Sequence, residues 1–391
     1  MKLLCGDELG QLKLIELKKG IDASNPDSEA PKIQRFGKLD KQNAILFFCE
    51  NENYVYVVRK NAAIECWDLR KEPPVLVSLW QLDEKLVENA SIVSFQYAHG
   101  WLMVALSSGT IVFRNPELGE VQKIQVSSPL SCATLHPRIA GVLAIGGEEN
   151  DVSIYSCNPS CSSSIDLSTL WDQSKIVRLF QGKNVKNNAL DLRVRVWVTG
   201  IVFTEELFNA IDGKSEDDSA PAFHFATITH YGQLRFYYTK QARRPIYSTD
   251  ISTSELNRVG ILPSVNMLYF SDKRAQVIVF DPINKKIVGR FQGVKGSASC
   301  IHNLGDLVAI VGLDRHLRVY DVHRNHLANA YVKVMPTSIL LLNDRDEEVI
   351  KEEENRAAKE EEEEEIWRNM EQLDDKEEKK DGRKTKKQKR S

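Results

Sequence analysis

The sequence predicts an all-β fold, a seven-bladed WD40-type β-propeller with a charged, partly helical or disordered C-terminal tail. Three observations carry this. Residues Val308 to Val322 (VAIVGLDRHLRVYDV) form a short apolar strand, a Gly-Leu-Asp-Arg turn, an alternating strand and an aromatic followed by Asp, which is the inner hairpin of one blade. Weaker copies recur upstream. A hairpin that cannot bury both faces alone must stack on others, so a repeat of this length specifies the architecture. Beyond residue 343 the apolar strand pattern stops and a charge-rich tail begins.

Taken in order, the hairpins are Lys2–Leu17, Tyr54–Leu69, Trp101–Asn115, Val142–Ser156, Phe223–Thr239, Met267–Asp281 and Leu307–Val322. Aligned on the blade aromatic they reach Ile15, Trp67, Arg114, Tyr155, Tyr237, Phe280 and Tyr320, with spacings of 52, 47, 41, 82, 43 and 40 residues. The long interval fits either an eighth blade or an insertion of about residues 156–222. It contains two polar loops and one alternating stretch, Leu190 to Phe203, which reads as the innermost strand of a blade. No second hairpin accompanies that stretch, which favours seven blades and an insertion. The first hairpin has no strand before it, and Ala330 to Leu342 follows the last with no hairpin after it. Ser338–Leu342 is therefore expected to complete the first blade and hide both edges of the sheet. The repeat is degenerate in detail: Trp67-Asp68 is the one Trp-Asp pair at the end of a hairpin, and Asp314 the one Asp at its turn position.

Composition narrows the functional classes. Of 391 residues, 42% are hydrophobic, yet no apolar run approaches the ~20 needed for a membrane helix. The apolar start, Met1-Lys2-Leu3-Leu4-Cys5, ends too early for a secretory signal. Seven scattered cysteines suit buried thiols in a reducing compartment better than a disulfide framework. Cys157 and Cys161 have the spacing of half a metal site, with no second pair to complete it. Gly146-Gly147 follows no nucleotide-binding pattern, Glu148, Glu149 and Asp151 read as a solvated turn, and His224 and His230 flank one strand. No nucleophile stands with an orienting base. The expectation is a non-catalytic protein with no cofactor and no small-molecule substrate.

Basic residues beside aromatics are the candidate contacts. Along Leu190–Phe203 one strand face would carry Leu192, Val194, Val196 and Val198, and the other Arg193, Arg195 and Trp197. Guanidinium groups beside an indole suit phosphate or a carboxylate partner; pairing with acids on adjacent strands is the alternative. Arg235, Lys240, Arg243 and Arg244 form a second group, and Arg315 and Arg318 flank the last turn, where Arg315 could hold Asp314. In the tail, residues 344–381 carry 19 acidic and 8 basic side chains. This segment reads as a solvated helix or an acidic spacer. Ile366, Met370 and Leu373, with Trp367 beside them, give a narrow stripe suited to a partner's groove. Residues 382–391 then concentrate Arg383, Lys384, Lys386, Lys387, Lys389 and Arg390, as a nuclear import signal or a phosphate-binding arm.

Gly312-Leu313-Asp314-Arg315-His316-Leu317-Arg318-Val319 with Ala330-Tyr331-Val332-Lys333 resembles the last blade of the Nop-seven-associated family of nucleolar WD-repeat proteins. Leu192-Arg193-Val194-Arg195-Val196-Trp197-Val198-Thr199 and Arg243-Arg244-Pro245 are similar to its fifth blade, where Pro often stands in place of Arg195. The resemblance spans residues 1 to about 343. It implies a non-catalytic assembly factor of nucleolar pre-60S particles, in the nucleus and nucleolus, that joins other assembly factors and pre-rRNA and is removed by an AAA-type ATPase. A WD-repeat adaptor for a ubiquitin-ligase or chromatin complex is the alternative reading of the same platform.

Overall fold

The computed structural model describes residues 1–25, 28–51, 53–158, 170–187, 190–208 and 222–343. Seven four-stranded antiparallel sheets are arranged as blades. Blade 1 holds β1 (Lys2–Asp7), β2 (Leu12–Glu16) and β3 (Lys32–Phe36), and blade 2 holds β4 (Ile45–Asn51), β5 (Tyr54–Arg59), β6 (Ala63–Asp68) and β7 (Val75–Gln81). Blade 3 is β8 (Ile92–Ala98), β9 (Trp101–Leu106), β10 (Thr110–Arg114) and β11 (Val121–Gln125); blade 4 is β12 (Cys132–Leu135), β13 (Val142–Gly147), β14 (Asn150–Ser156) and β15 (Val177–Gln181). Blade 5 is β16 (Val198–Phe203), β17 (His224–Thr229), β18 (Gln233–Tyr238) and β19 (Tyr247–Asp250). Blade 6 is β20 (Leu256–Leu262), β21 (Met267–Asp272), β22 (Val277–Asp281) and β23 (Lys286–Arg290). Blade 7 is β24 (Ala298–Leu304), β25 (Leu307–Gly312), β26 (His316–Asp321) and β27 (His326–Tyr331), and β28 (Pro336–Asn343) returns to blade 1.

Each expected hairpin forms the middle two strands of a blade, which are almost entirely buried, whereas the outermost strands are largely exposed. The apolar runs explain this: side chains on both faces of a middle strand meet the two neighbouring blades. Tyr56, Val58 and Ile64 of blade 2 pack with Phe95, Leu102 and Val104 of blade 3, and the same interleaving recurs between blades 3 and 4, 4 and 5, 5 and 6, and 6 and 7. The core therefore lies between blades. The innermost strands touch in the cycle β28, β4, β8, β12, β16, β20, β24 and back to β28. The closing strand is present as expected: β28 pairs with β1 in the register Leu4↔Leu340 and Cys5↔Ile339.

A second closure was not legible in the sequence. The chain after β2 crosses to the outermost strand of blade 7, where Asp22 forms a parallel bridge with Asn329. Ala23 N–H donates to the Asn329 carbonyl at 2.9 Å, and Asn329 N–H to the Ile21 carbonyl at 2.8 Å. Asn329 Nδ2 also donates to Asp22 Oδ1 at 2.9 Å. With the Ser24 hydroxyl and amide donating as well, the Asp22 carboxyl is held down to about 2.

Two repeat positions organise the turns and the blade interiors. Gly10, Ala62, Gly109, Glu149, Gly232, Ala275 and Arg315 are left-handed in the seven hairpin turns. All but Glu149 stand five residues before the aligned blade aromatic. Two residues before that aromatic stand Lys13, Arg235 and Arg318, all buried. Lys13 Nζ lies 2.8 Å from Asp7 Oδ2 and Arg318 Nη2 lies 2.6 Å from Asp314 Oδ2, so each cation holds the acid of its own turn.

Two expectations need correction. The long interval between blades 4 and 5 is not one insertion. It contains β15, the outermost strand of blade 4, and β16, the innermost strand of blade 5, so the extra length is divided among their connections. Of the alternating stretch Leu190–Phe203, only Val198–Phe203 is a strand of the blade. Leu190 and Leu192 are exposed. Residues 192–197 instead run between hairpin turns: Glu149 N–H donates to the Val196 carbonyl at 2.8 Å and His230 N–H to the Trp197 carbonyl at 3.0 Å. Alternation reports that side chains change sides, and here the sides are two blades.

Candidate protein and nucleic-acid interfaces

The innermost strands all run the same way along the axis, so one mouth of the central channel gathers their first residues and the other their last. Trp197 lies at the first mouth, immediately before β16. Its indole stacks on His230 at 4.1 Å between centroids, with an interplanar angle of 10°. Its Nε1 donates to Ser131 Oγ at 3.0 Å. It forms part of the wall of a 370 Å³ cavity with Ser131, Thr199, Glu255, Asn257 and Arg258. Glu255 Oε2 lies 2.8 Å from His230 Nδ1 and 2.5 Å from Lys273 Nζ. The indole is thus held on one face and at its N–H, a rigid half-buried aromatic beside a polar recess.

The arginines nearby divide by environment. Arg193 is exposed and pairs with Glu149 at 2.6 Å, the acid-paired alternative of the sequence reading. Arg195 is exposed. Arg235 is not a surface residue: it is 1% exposed, and its guanidinium donates to Asn184 Oδ1 at 3.2 Å and Gln233 Oε1 at 2.7 Å. It occupies the inward repeat position of Lys13 and Arg318, which is why a cation in a strand of alternating character points inward here. Arg243 and Arg244 are exposed, and both are oriented from behind, with Nε donating to the Gln181 carbonyl at 2.8 Å and the Asn184 carbonyl at 3.2 Å. Arg315 is exposed on a left-handed residue, φ 63°, and does not hold Asp314; Arg318 does. Ile366, Trp367, Met370, Leu373, Arg383, Lys384, Lys386, Lys387, Lys389 and Arg390 lie outside the described residues.

At the second mouth a 580 Å³ cavity is walled by residues near the ends of the innermost strands, among them Glu50, Tyr97, His136, Glu205 and His302. Buried His136 accepts backbone N–H groups of Arg138 and Ile139 at Nδ1 (3.1 and 2.9 Å), which places its proton on Nε2, 3.4 Å from Glu205 Oε1. His302 Nδ1 accepts Leu341 N–H at 3.1 Å, and burial lowers its imidazole to about 4. Both histidines fasten backbone at this mouth by accepting its N–H groups at Nδ1. Burial pushes the thiols of Cys5, Cys132 and Cys157 up to about 12, so at neutral pH they are protonated. Among the described residues no cluster of three His, Cys, Asp or Glu side chains is arranged for a metal ion.

A closed seven-bladed ring that presents oriented cations and a fixed aromatic at its surface defines a WD-type propeller. Solved structures agree on the fold. The β-propeller domain of Myceliophteria thermophila Cps50 (Swd1) aligns with a TM-score of 0.53 at 16% identity, over 74% of this chain and 86% of that one. Saccharomyces cerevisiae Sqt1 aligns with a TM-score of 0.53 at 13% identity, over 77% of this chain and 78% of that one. No family model matches the sequence. Curated relatives do: a Schizosaccharomyces pombe protein named ribosome biogenesis protein nsa1 is 61% identical over 99% of this chain and 100% of its own length. The Yarrowia lipolytica protein of that name is 24% identical over 96% of this chain and 95% of its own. The chain belongs to the Nsa1 family of WD-repeat ribosome biogenesis proteins.

Proposed function

We propose that this chain is a non-catalytic assembly factor of nucleolar pre-60S particles, a scaffold that joins other assembly factors and pre-rRNA and is released by an AAA-type ATPase. The observation that carries the reading is the 61% identity over essentially the whole length of a ribosome biogenesis protein. A propeller supports it physically, because its rigid ring offers several separate surfaces to different partners. In this reading Trp197 and Arg195 at the first mouth, with Arg243, Arg244 and Arg315, supply contacts. The tail residues Ile366, Trp367, Met370 and Leu373 engage the ATPase, and the basic end directs nuclear entry.

Sedimentation of cell extract followed by affinity purification of the tagged full-length protein tests this. Migration with large-subunit precursors, together with recovery of precursor rRNA, is expected. Association with ubiquitin-ligase or chromatin subunits that survives nuclease, without rRNA, would establish the adaptor reading instead. Deleting residues 382–391 should shift the protein toward the cytoplasm, and deleting residues 346–381 should leave it retained on particles after the ATPase step.

A further inference from the structure

Charge is unevenly distributed round the ring. The described residues up to 239 carry 23 Lys and Arg against 22 Asp and Glu, whereas residues 240–343 carry 14 against 7. The positive sector is the outermost strand of blade 5 with blades 6 and 7 and the closing strand. Its acids are largely consumed by the fold. Asp281 accepts the N–H groups of Ile283 and Asn284, both at 2.9 Å, Asp321 accepts Asn325 N–H at 2.8 Å, and Asp272 accepts Arg274 and Gln276 N–H at 2.9 Å. Asp314 is paired with Arg318 and Glu255 with Lys273. The cations are placed differently. Arg243, Arg244, Lys285, Lys286, Arg290 and Lys295 are exposed, and among the described residues none of them is within salt-bridge distance of a carboxylate, Lys286 acting on Asp281 only at longer range.

These cations form a continuous band, because turns of one blade lean on the outermost strand of the blade before it. Arg243 and Arg244, in the turn before β19, donate to carbonyls just after or within β15 of blade 4. Lys285, in the turn before β23, sits 5.1 Å from the Tyr247 ring in β19 of blade 5. Arg324, in the turn before β27, lies so close to Gly289 in β23 of blade 6 that a Cβ there would be 2.9 Å from its Nε. We propose that this outer rim of blades 5 to 7 is a rail for the phosphodiester backbone of RNA, an inference that rests on the pre-rRNA contact of the proposed function.

Exposed aliphatics are also present on the rim, but they do not distinguish this sector. Val75, Leu76, Val77 and Leu79 of blade 2, Val121 of blade 3 and Val177 of blade 4 are as exposed as Ile287 and Val288. What distinguishes it is its charge balance, twice as many Lys and Arg as Asp and Glu over residues 240–343. Arg243 and Arg244 present two neighbouring guanidinium groups anchored through Nε, an arrangement matched to phosphate oxygens. With Tyr247 covered by Lys285, the rail reads backbone charge rather than stacking bases.

The test is the salt dependence of binding between the full-length protein and an RNA duplex of arbitrary sequence. Each phosphate contact contributes about 0.9 to the slope of log affinity against log salt. Changing Arg243, Arg244, Lys285 and Lys286 together to Gln should reduce that slope by about 3.6 and weaken binding by more than ~10-fold at physiological salt. Because Arg243 and Lys285 also touch neighbouring strands, a second variant, K286Q/R290Q/K295Q, removes charge from side chains without such contacts to another blade and should reduce the slope by about 2.7. A control with Lys19, Lys38, Lys41 and Lys60 changed to Gln keeps the same tail and should bind within about twofold of the parent. Unchanged slopes in both rail variants, or an equal loss in the control, overturn the rail. So does an acidic polypeptide that binds the parent as tightly as RNA and loses that binding in both rail variants, which would identify a protein occupant. If the rail fails while the parent still sediments with large-subunit precursors, the proposed function stands without it. A parent that never sediments with precursors overturns the proposed function, and the rail's role on pre-rRNA with it.

Discussion

His302 couples closure of the ring to pH. It sits in β24, the innermost strand of blade 7, and its Nδ1 accepts the N–H of Leu341 in the closing strand β28 at 3.1 Å. Its Nε2 is 3.8 Å from Glu50 Oε1 in β4 of blade 2. Protonating Nδ1 would remove the acceptor and place a charge in a largely desolvated site, and burial accordingly lowers the imidazole from 6.5 to about 4. A folded-state value below the unfolded one means that the folded state binds fewer protons across this window. The stabilisation is therefore fully present above about 6.5 and is lost as pH falls toward 4. The whole interval is worth about 3 kcal/mol, of which about 2 disappears between pH 7 and pH 5. Urea unfolding of the parent and of His302→Asn at the two pH values measures it, since Asn Oδ1 can accept the Leu341 N–H without titrating. The parent should lose about 2 kcal/mol more than the variant on acidification. Glu50, raised by burial, acts in the opposite direction in both proteins, so their difference isolates the histidine. Equal losses in the two proteins would refute the reasoning.

Other substitutions test the closure and the turns. Leu340→Ala in β28 removes a side chain that is 4% exposed and should cost about 2–5 kcal/mol by denaturant unfolding, while truncation after Asp344 should leave the melting temperature of the ring unchanged. Asn329→Ala removes the side-chain part of the second clasp, its bonds to Asp22 and His316, while its two backbone bonds remain, and should cost about 1–3 kcal/mol and raise hydrogen exchange around Ile21 to Ala23. Gly232→Ala should be severely destabilising in a thermal melt, because φ is 77° and a Cβ would lie 1.8 Å from the Ser252 carbonyl oxygen. Ala62→Gly, at the same repeat position in blade 2, should change stability by less than about 1 kcal/mol. Trp197→Ala should lower the melting temperature and loosen the first mouth, with fluorescence and partner capture as readouts, whereas Trp197→Phe should retain the ring stack on His230.

The blade hairpins were legible because two buried faces require near-continuous apolar runs, and seven such runs recur from Lys2–Leu17 to Leu307–Val322. The closing strand was legible by elimination, since the first hairpin lacked a partner on its inner edge. The left-handed turn position was hidden. Glycine fills it in Gly10, Gly109 and Gly232, but Ala62, Glu149, Ala275 and Arg315 adopt the same backbone without a glycine to announce it. Arg235 was misplaced because a single strand shows that its side chain lies opposite Leu234 and Phe236, not which side faces a neighbouring blade. The same ambiguity made residues 192–197 look like part of a sheet. Lys285 and Lys286 passed unnoticed because adjacent lysines near a turn ordinarily read as solvated charge.

The sequence by itself determined the repeat, the number of hairpins and the kinship with ribosome biogenesis proteins, because these depend on pattern along one chain. Only the tertiary structure decided which cations are pillars and which are surface. Lys13, Arg235 and Arg318 are buried, where Asp7, Asn184 and Asp314 contact them, while Arg243, Lys285 and Arg324 fall on successive rims. That division depends on how consecutive blades rotate against one another round the ring, a relation between residues some 40 positions apart that no local pattern encodes.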